Sequence, residues 1–361
     1  MHFSRKFSFS LFAVLIAVSS LSIASAQSDS ISAPQGVEYD IGFDCPVTAA
    51  LDSTATTLWV LLNNCFGNRF SLRGFNVADG SPVNDETHAF TDELAGLTAD
   101  YYIDSFTRPM AFTPDGLLDI RYYDIDKYDA FNLLISLDSD TPATTPSNES
   151  INTLLHGFSE YPETTVYNAD HTRAVAFGAT SLHVVDLVAE SELLEIPTEG
   201  ESYFSFPSFS HDGNQLYVAT LNNPDDMEDY ASVLKVYSLP DGKLLNTYDV
   251  PSPFLWVSPN GQYAVATIVD ESFVLIELAT GGISDNVQLF EGESRVTKCV
   301  NDGRDMSDVD FTTSGRLTLM GLSWLPDSSG FMTVQSYGGE AAGGGAPCYF
   351  NHSRLRHYTL Q

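Results

Sequence analysis

Apolar residues in this chain come in short runs, and the runs are broken by a polar turn that returns in one recognisable form. It reads Phe112-Thr113-Pro114-Asp115-Gly116, Phe209-Ser210-His211-Asp212-Gly213 and Val257-Ser258-Pro259-Asn260-Gly261, and more loosely Trp324-Leu325-Pro326-Asp327-Ser328. Weaker copies stand at Tyr167-Asn168-Ala169-Asp170-His171 and Ala50-Leu51-Asp52-Ser53-Thr54. Each residue type has a reason to be there. Proline pre-sets φ, aspartate or asparagine bonds its own backbone, and glycine takes a positive φ. The flanking runs alternate only weakly between apolar and polar, as strands buried on both faces do. No stretch combines a helical period with helix caps, and the region Glu86–Leu97 is the best candidate for one short helix.

Taking the acid or amide of each turn as a ruler gives positions 52, 115, 170, 212, 260 and 327, with gaps of 63, 55, 42, 48 and 67. A β-hairpin repeated at roughly 40–50 residues is how a β-propeller looks in sequence, with longer gaps carrying insertions. The fullest copy supplies four strands: Tyr203–Ser210, Gln215–Thr220, Val233–Leu239 and, after Pro240-Asp241-Gly242-Lys243, Leu244–Val250. The expected fold is therefore all-β, a propeller of four-stranded blades forming one domain over residues 27–361. Six turns favour six blades, although residues 75–110 are long enough to hold a seventh. The last copy ends on what reads as a third strand, and Gly36–Phe43 is the candidate to complete it. Closing the ring with both termini removes an exposed sheet edge.

Within this pattern, Gln215–Val250 resembles the YVTN type of propeller repeat, a relative of WD-repeat and TolB-like propellers. Leu216-Tyr217-Val218-Ala219-Thr220-Leu221-Asn222 stands where that family has its Leu-Tyr-Val-Thr-Asn strand, and Val233–Leu239 with its Pro-Asp-Gly-Lys turn stands where it has a Val-Ile-Asp strand and a Thr-Gly-Lys turn. Tyr263–Gly282 fits the same template, and Arg173–Ile196 fits it more loosely. No Trp-Asp or Gly-His dipeptide occurs, so a true WD-repeat protein is disfavoured. The resemblance implies a fold and not an activity, because such repeats scaffold many functions.

The first residues read as an export signal. Arg5 and Lys6 precede an apolar run, Leu11–Ile23, and Ala24-Ser25-Ala26 supplies a small-residue cleavage pattern. The expectation is an exported protein, periplasmic or extracellular, cleaved near Ala26. The chain holds 48 acidic and 16 basic residues, a net charge of −32. Loss of residues 1–26 removes Arg5 and Lys6 and no acid, leaving −34. Such a surface repels phosphate backbones, which argues against nucleic acid and anionic membranes as partners.

Four cysteines in an exported chain suggest two disulfides. Cys45 and Cys65 are placed symmetrically about the Ser53–Thr57 turn and are expected to pair. Cys299 and Cys348 remain, and would staple the insert before the last blade to the glycine-rich stretch Gly338–Gly345, read as a hairpin tip. Each bridge is worth about 3–4 kcal/mol in loop entropy. No Cys-x-x-Cys occurs, so redox or zinc roles are not indicated.

Catalytic signatures are sparse. There is no Gly-x-Ser-x-Gly elbow, no His-Glu-x-x-His and no dinucleotide-binding loop. His211-Asp212 and Asp170-His171 fall in the repeat turn and read as turn residues. The remaining mature-chain histidines, His88, His156, His183, His352 and His357, show no metal-ligand spacing. Aspartate clusters are the better lead: Asp225, Asp226, Glu228 and Asp229 in one loop, Asp302, Asp305, Asp308 and Asp310 in another, and Asp124, Asp126 and Asp129 in a third. These are candidate calcium ligands, since calcium takes six to eight oxygens from flexible acidic loops. No other cofactor is indicated. Two functions stay open: a non-catalytic exported scaffold that holds a protein or carbohydrate, or a metal-dependent, lactonase-like propeller hydrolase with its site in the central channel. Asn148-Glu149-Ser150 and Asn351-His352-Ser353 would be glycosylation sequons in a eukaryotic host.

Overall fold

The computed structural model describes residues 31–42, 45–63, 70–83, 88–89, 101–102, 110–113, 115–124, 129–137, 145–146, 154–155, 157–158, 165–168, 172–178, 180–197, 206–221, 232–239, 241–268, 272–289, 312–342 and 348–360. The chain opens with strand β1 (Gln35–Gly42). Blade one holds β2 (Cys45–Leu51), β3 (Thr57–Asn63), β4 (Phe70–Asn76) and β5 (His88–Ala89). Blade two holds β6 (Tyr101–Tyr102), β7 (Met110–Phe112), β8 (Leu118–Asp124), β9 (Asp129–Ile135) and β10 (Thr145–Pro146). Blade three holds β11 (Val166–Tyr167), β12 (Arg173–Phe177), β13 (Ser181–Asp186) and β14 (Ser191–Pro197). Blade four holds β15 (Phe206–Phe209), β16 (Gln215–Leu221), β17 (Ser232–Ser238) and β18 (Leu244–Val250). Blade five holds β19 (Leu255–Val257), β20 (Tyr263–Ile268), β21 (Ser272–Glu277), β22 (Gly282–Ile283) and β23 (Val287–Gln288). Blade six holds β24 (Thr312–Trp324), β25 (Gly330–Ala342) and β26 (Cys348–Thr359), and β1 completes it as the outer strand.

These six antiparallel sheets form a six-bladed β-propeller. Residues 75–110 contribute to blades one and two and hold no seventh blade among the described residues: β5 pairs with β4, and β6 and β7 both pair with β8. The ring closes as the sequence suggested, with β1 pairing antiparallel to β26 from Gln35↔Thr359 to Gly42↔Ser353. The helix expected around Glu86–Leu97 is corrected in part. His88 and Ala89 are strand residues opposite Leu72 and Ser71, and the rest of that segment lies outside the described residues. Helical residues occur instead at 154–155 and 157–158, in the connection to blade three. Gly338 and Gly339 are also strand residues, opposite Asn351 and Phe350, which corrects that part of the expected hairpin tip, and 343–347 lie outside the described residues.

Weak alternation has a direct structural cause. In β16, Leu216 and Val218 pack toward blade three, and Tyr217 and Ala219 toward blade five. In β21, Val274 and Ile276 face blade four, and Phe273 and Leu275 face blade six. Both parities of a middle strand are apolar because each blade lies between two others. The closing interface sets Met332, Val334 and Leu355 of blade six against Leu58, Val60 and Leu62 of blade one.

The repeated turn is a side-chain-capped loop. Ser210 Oγ donates to Asp212 Oδ1 at 2.6 Å and accepts from the Gln215 amide at 2.9 Å. Ser258 with Asn260 and Tyr263, and Thr113 with Asp115 and Leu117, repeat the arrangement. Blades one and three use a shorter solution. Asp52 Oδ1 accepts the Thr56 and Thr57 amides directly, and Asn168 Oδ1 accepts the Arg173 amide. Asp52 therefore stands at the first position of its turn, the place of Ser210, two residues earlier than the ruler assumed. The fourth turn residue takes a positive φ in five blades: Ala55, Gly116, Gly213, Gly261 and Ser328.

Candidate functional site

The innermost strands β2, β7, β11, β15, β19 and β24 surround a central cavity of about 370 Å³, within the size range of small-ligand pockets. All six blades contribute to its wall. The described part of the wall is mostly apolar, with Met110, Leu322 and Trp256 among its members, and holds no lysine or arginine. Asp119, on β8 and opposite Ala111, is the one acidic residue among the described wall residues and is buried. Asn168 and His211 also reach the wall. The Asn168 side chain is committed to its own turn: Oδ1 accepts from the Arg173 amide and Nδ2 donates to Thr172 Oγ1. Among the described residues, no three His, Cys, Asp or Glu side chains lie close enough to share a metal ion.

The two ends of the propeller differ. In blade four the first-to-second-strand turn and the third-to-fourth-strand turn lie at one end, because β15 runs toward it, β16 away, β17 back and β18 away, and the antiparallel order of the other sheets repeats this path. At this end neighbouring blades are tied together. Arg173 Nη1 donates to Gly213 O at 2.7 Å, the His211 amide to Pro259 O at 3.3 Å, and the Asn260 amide to Ser328 Oγ at 3.1 Å. Hydrogen bonds from Ser210, the dominant cause, and from Asn214 hold the Asp212 carboxyl down at about 2. Hydrogen bonds to neighbouring serines likewise lower Asp79, Asp241 and Asp327. Tyr217 sits beneath the Gly261 turn, and burial pushes its phenol up to about 12.

The opposite end carries the variable connections. Asp225, Asp226, Glu228 and Asp229 fall between β16 and β17, and Asp302, Asp305, Asp308 and Asp310 between β23 and β24. All eight lie outside the described residues. Asp124 and Asp129 are register partners at the end of the β8–β9 ladder, and Asp126 lies outside the described residues. Cys45 opens β2 opposite Asn63, and Cys348 opens β26 opposite Ala341, while Cys65 and Cys299 lie outside the described residues. The strand ends that flank all of these segments open on this one face.

Two groups of polar residues escaped the sequence reading. Asp119 gave no signal, since nothing in Leu118-Asp119-Ile120 marks it as wall-lining. The second group did leave one. Ser181 and His183 alternate on β13 and so share a face, and Glu192 follows across a tight turn on β14. Ser181 Oγ lies 3.0 Å from His183 Nε2, and His183 Nδ1 lies 2.6 Å from Glu192 Oε1.

No family model matches this chain, and no curated protein matches it. Among solved structures, hydrazine synthase of Kuenenia stuttgartiensis is similar over 84% of this chain and 79% of its own, with 13% identity and a TM-score of 0.41. The strand order and pairing by themselves establish the fold as a six-bladed propeller.

Proposed function

We propose that this protein is an exported, YVTN-type propeller that holds a protein or carbohydrate partner on the end bearing its long connections. The observation that supports this reading is the asymmetry between the two ends. Among the described residues, the turns at one end are short and are locked by side-chain hydrogen bonds and cross-blade ties. The other receives long connections, including 222–231 and 289–311, between strands that the core already fixes. Insertions of this kind on a rigid scaffold are where binding residues concentrate. The aspartates in those connections supply oxygen ligands suited to calcium, which would order the loops for a partner.

The test begins with a thermal melt of the mature protein in calcium, in EDTA and in matched sodium chloride. A calcium-specific rise in Tm supports ion-ordered loops, and identical curves remove calcium from the reading. Glycan-array and peptide-display screens then compare the wild type with a variant in which 222–231 is replaced by a two-residue turn. Binding that is lost in a variant with an unchanged melt supports the reading. Binding that survives shortening of this and the 289–311 connection overturns it.

A further inference from the structure

The Ser181–His183–Glu192 cluster has the connectivity of a nucleophile, a base and a residue that orients the base. One imidazole tautomer satisfies both contacts: Nδ1–H donates to Glu192 Oε1 and the Nε2 lone pair accepts the Ser181 hydroxyl proton. That is the protonation state in which histidine can take a proton from serine.

The fold places these three residues by specific means. Ser181 and His183 point to the same side of β13, toward blade two, while Leu182 and Val184 pack toward blade four. A bulge in the β13–β14 ladder shifts the register between Val184↔Leu194 and Val185↔Glu192, so that Leu193 is the extra residue. Without it Val185 would face Leu193, and Glu192 would turn to the other side of the sheet. Bulges re-aim side chains in this way beside functional sites. The Phe158 ring stacks on His183 with centroids 5.0 Å apart, which shields one face of the imidazole. Gly178 packs beside the reacting nitrogen, where its lack of a side chain leaves the imidazole undisturbed. A Cβ there would lie 2.7 Å from His183 Nε2, so any side chain would press on the base. Exposure falls from the outside inward: 35% for the Glu192 side chain, 15% for that of His183 and 5% for Ser181.

We infer that Ser181 is an activated nucleophile that hydrolyses small carboxylic esters, with His183 as general base and acid and Glu192 as its positioning residue. Ser181 Oγ attacks the ester carbonyl carbon while its proton passes to His183 Nε2. The bond from that carbon to the leaving alcohol oxygen then breaks, and Nε2 returns the proton to that oxygen. A water molecule repeats the sequence on the acyl-serine and releases the acid. The low exposure of Ser181 and the Phe158 cover restrict the substrate to a short acyl group. This activity is separate from partner binding on the loop-bearing end, and the failure of either leaves the other standing.

The test uses the full mature protein with diisopropyl fluorophosphate and with p-nitrophenyl acetate. The expected result is a single phosphoryl adduct that peptide mass spectrometry maps to Ser181, together with ester hydrolysis that Ser181→Ala abolishes. His183→Gln should lower the rate by about 100-fold or more, the span of general-base catalysis. Glu192→Gln should lower it less and move the midpoint of the pH–rate profile, which loss of a merely structural contact would not do. No adduct on Ser181, or hydrolysis that persists in Ser181→Ala, overturns the inference. Should Ser181→Ala fail to fold, Ser181→Cys replaces it. Its thiol should react with iodoacetamide at pH 6 faster than in Ser181→Cys/His183→Gln, and equal rates overturn the inference.

Discussion

Removing the carboxylate of Glu38 should loosen the closure of the ring. Glu38 Oε2 accepts from Arg356 Nε at 2.9 Å and Nη2 at 2.8 Å, and Oε1 accepts from Arg354 Nη1. Both arginines stand on β26, and Arg356 is directly opposite Glu38 in the β1–β26 ladder. Among the described side chains of β1, Tyr39 packs against blade one and Val37 is 58% exposed. A hydrogen bond to a charged group contributes about 1.5–3 kcal/mol, while exposed ion pairs contribute roughly 0.2–1 kcal/mol. The Glu38 side chain is 31% exposed and those of Arg354 and Arg356 are 16% and 13% exposed, so the clasp lies between these limits. Glu38→Gln keeps the shape and one acceptor and should cost about 2 kcal/mol. At roughly 2.1 cal/mol/K of unfolding entropy per residue over about 330 residues, that lowers Tm by about 3 °C. Local opening gives the sharper reading. If β1 opens alone, its amides and their partners on β26 should exchange about 30-fold faster by hydrogen-exchange mass spectrometry, with little change in blades three and four. The difference should shrink in 1 M salt, where the Debye length is about 3 Å. An unchanged Tm with unchanged exchange in β1 would refute the clasp.

Three further outcomes follow from the turn-bearing end and from the charge. Asp212 is depressed from 3.8 to about 2 in the folded chain. Its stabilising effect is therefore present above the unfolded value and lost as pH falls through about 2. Carboxyl carbon NMR should give that midpoint, and Ser210→Ala should move it upward toward the ordinary aspartate value. Gly261→Ala should destabilise by about 2–3 kcal/mol in urea unfolding, because φ is +68° and the new Cβ would meet Tyr217 Oη at 2.3 Å. In a Tyr217→Phe background the same change should cost only the backbone strain, about 1 kcal/mol, and equal costs in both backgrounds would dismiss the clash. Finally, the net charge of −32 predicts a Tm that rises with sodium chloride as self-repulsion is screened, and a falling Tm would show that the local ion pairs dominate instead.

Much of the scaffold could be read in the sequence because a propeller repeats its own punctuation. The Leu244–Val250 strand was placed to the residue, and Gln35–Gly42 was foreseen as the closing strand within one residue at each end. Blade one was misaligned by two residues for a physical reason. An acid at the first turn position caps the amides that a Ser–Asp pair caps elsewhere, so Asp52 and Asp212 do the same work from different places. The Glu86–Leu97 helix is corrected at His88 and Ala89, because outer strands in these sheets can be only two residues long, too short for any period to show. Asp119 had no signature at all. It reaches the channel wall from the second strand of its blade, opposite Ala111 of the first, and no local pattern encodes that.

The same logic explains why the cluster on blade three was overlooked. A search by motif looks for residues at fixed spacing, whereas a strand presents alternate residues on one face and borrows the third from its hairpin partner. Ser181 and His183 satisfy the first condition within three residues. Glu192 satisfies the second only because of the bulge at Val184/Val185, a backbone feature that the sequence Leu193-Leu194 does not announce. Blade three is also a place where such a site costs the scaffold little. Val175, Leu182 and Val184 of β12 and β13 are held by blade four, and on the opposite face Ala174, Ala176 and Val185 pack with Leu155 and Leu187, so the Ser181–His183 pair takes up the start of β13 alone. Both faces of the sheet thus keep their apolar packing, and the polar relay stands where the strand enters the blade.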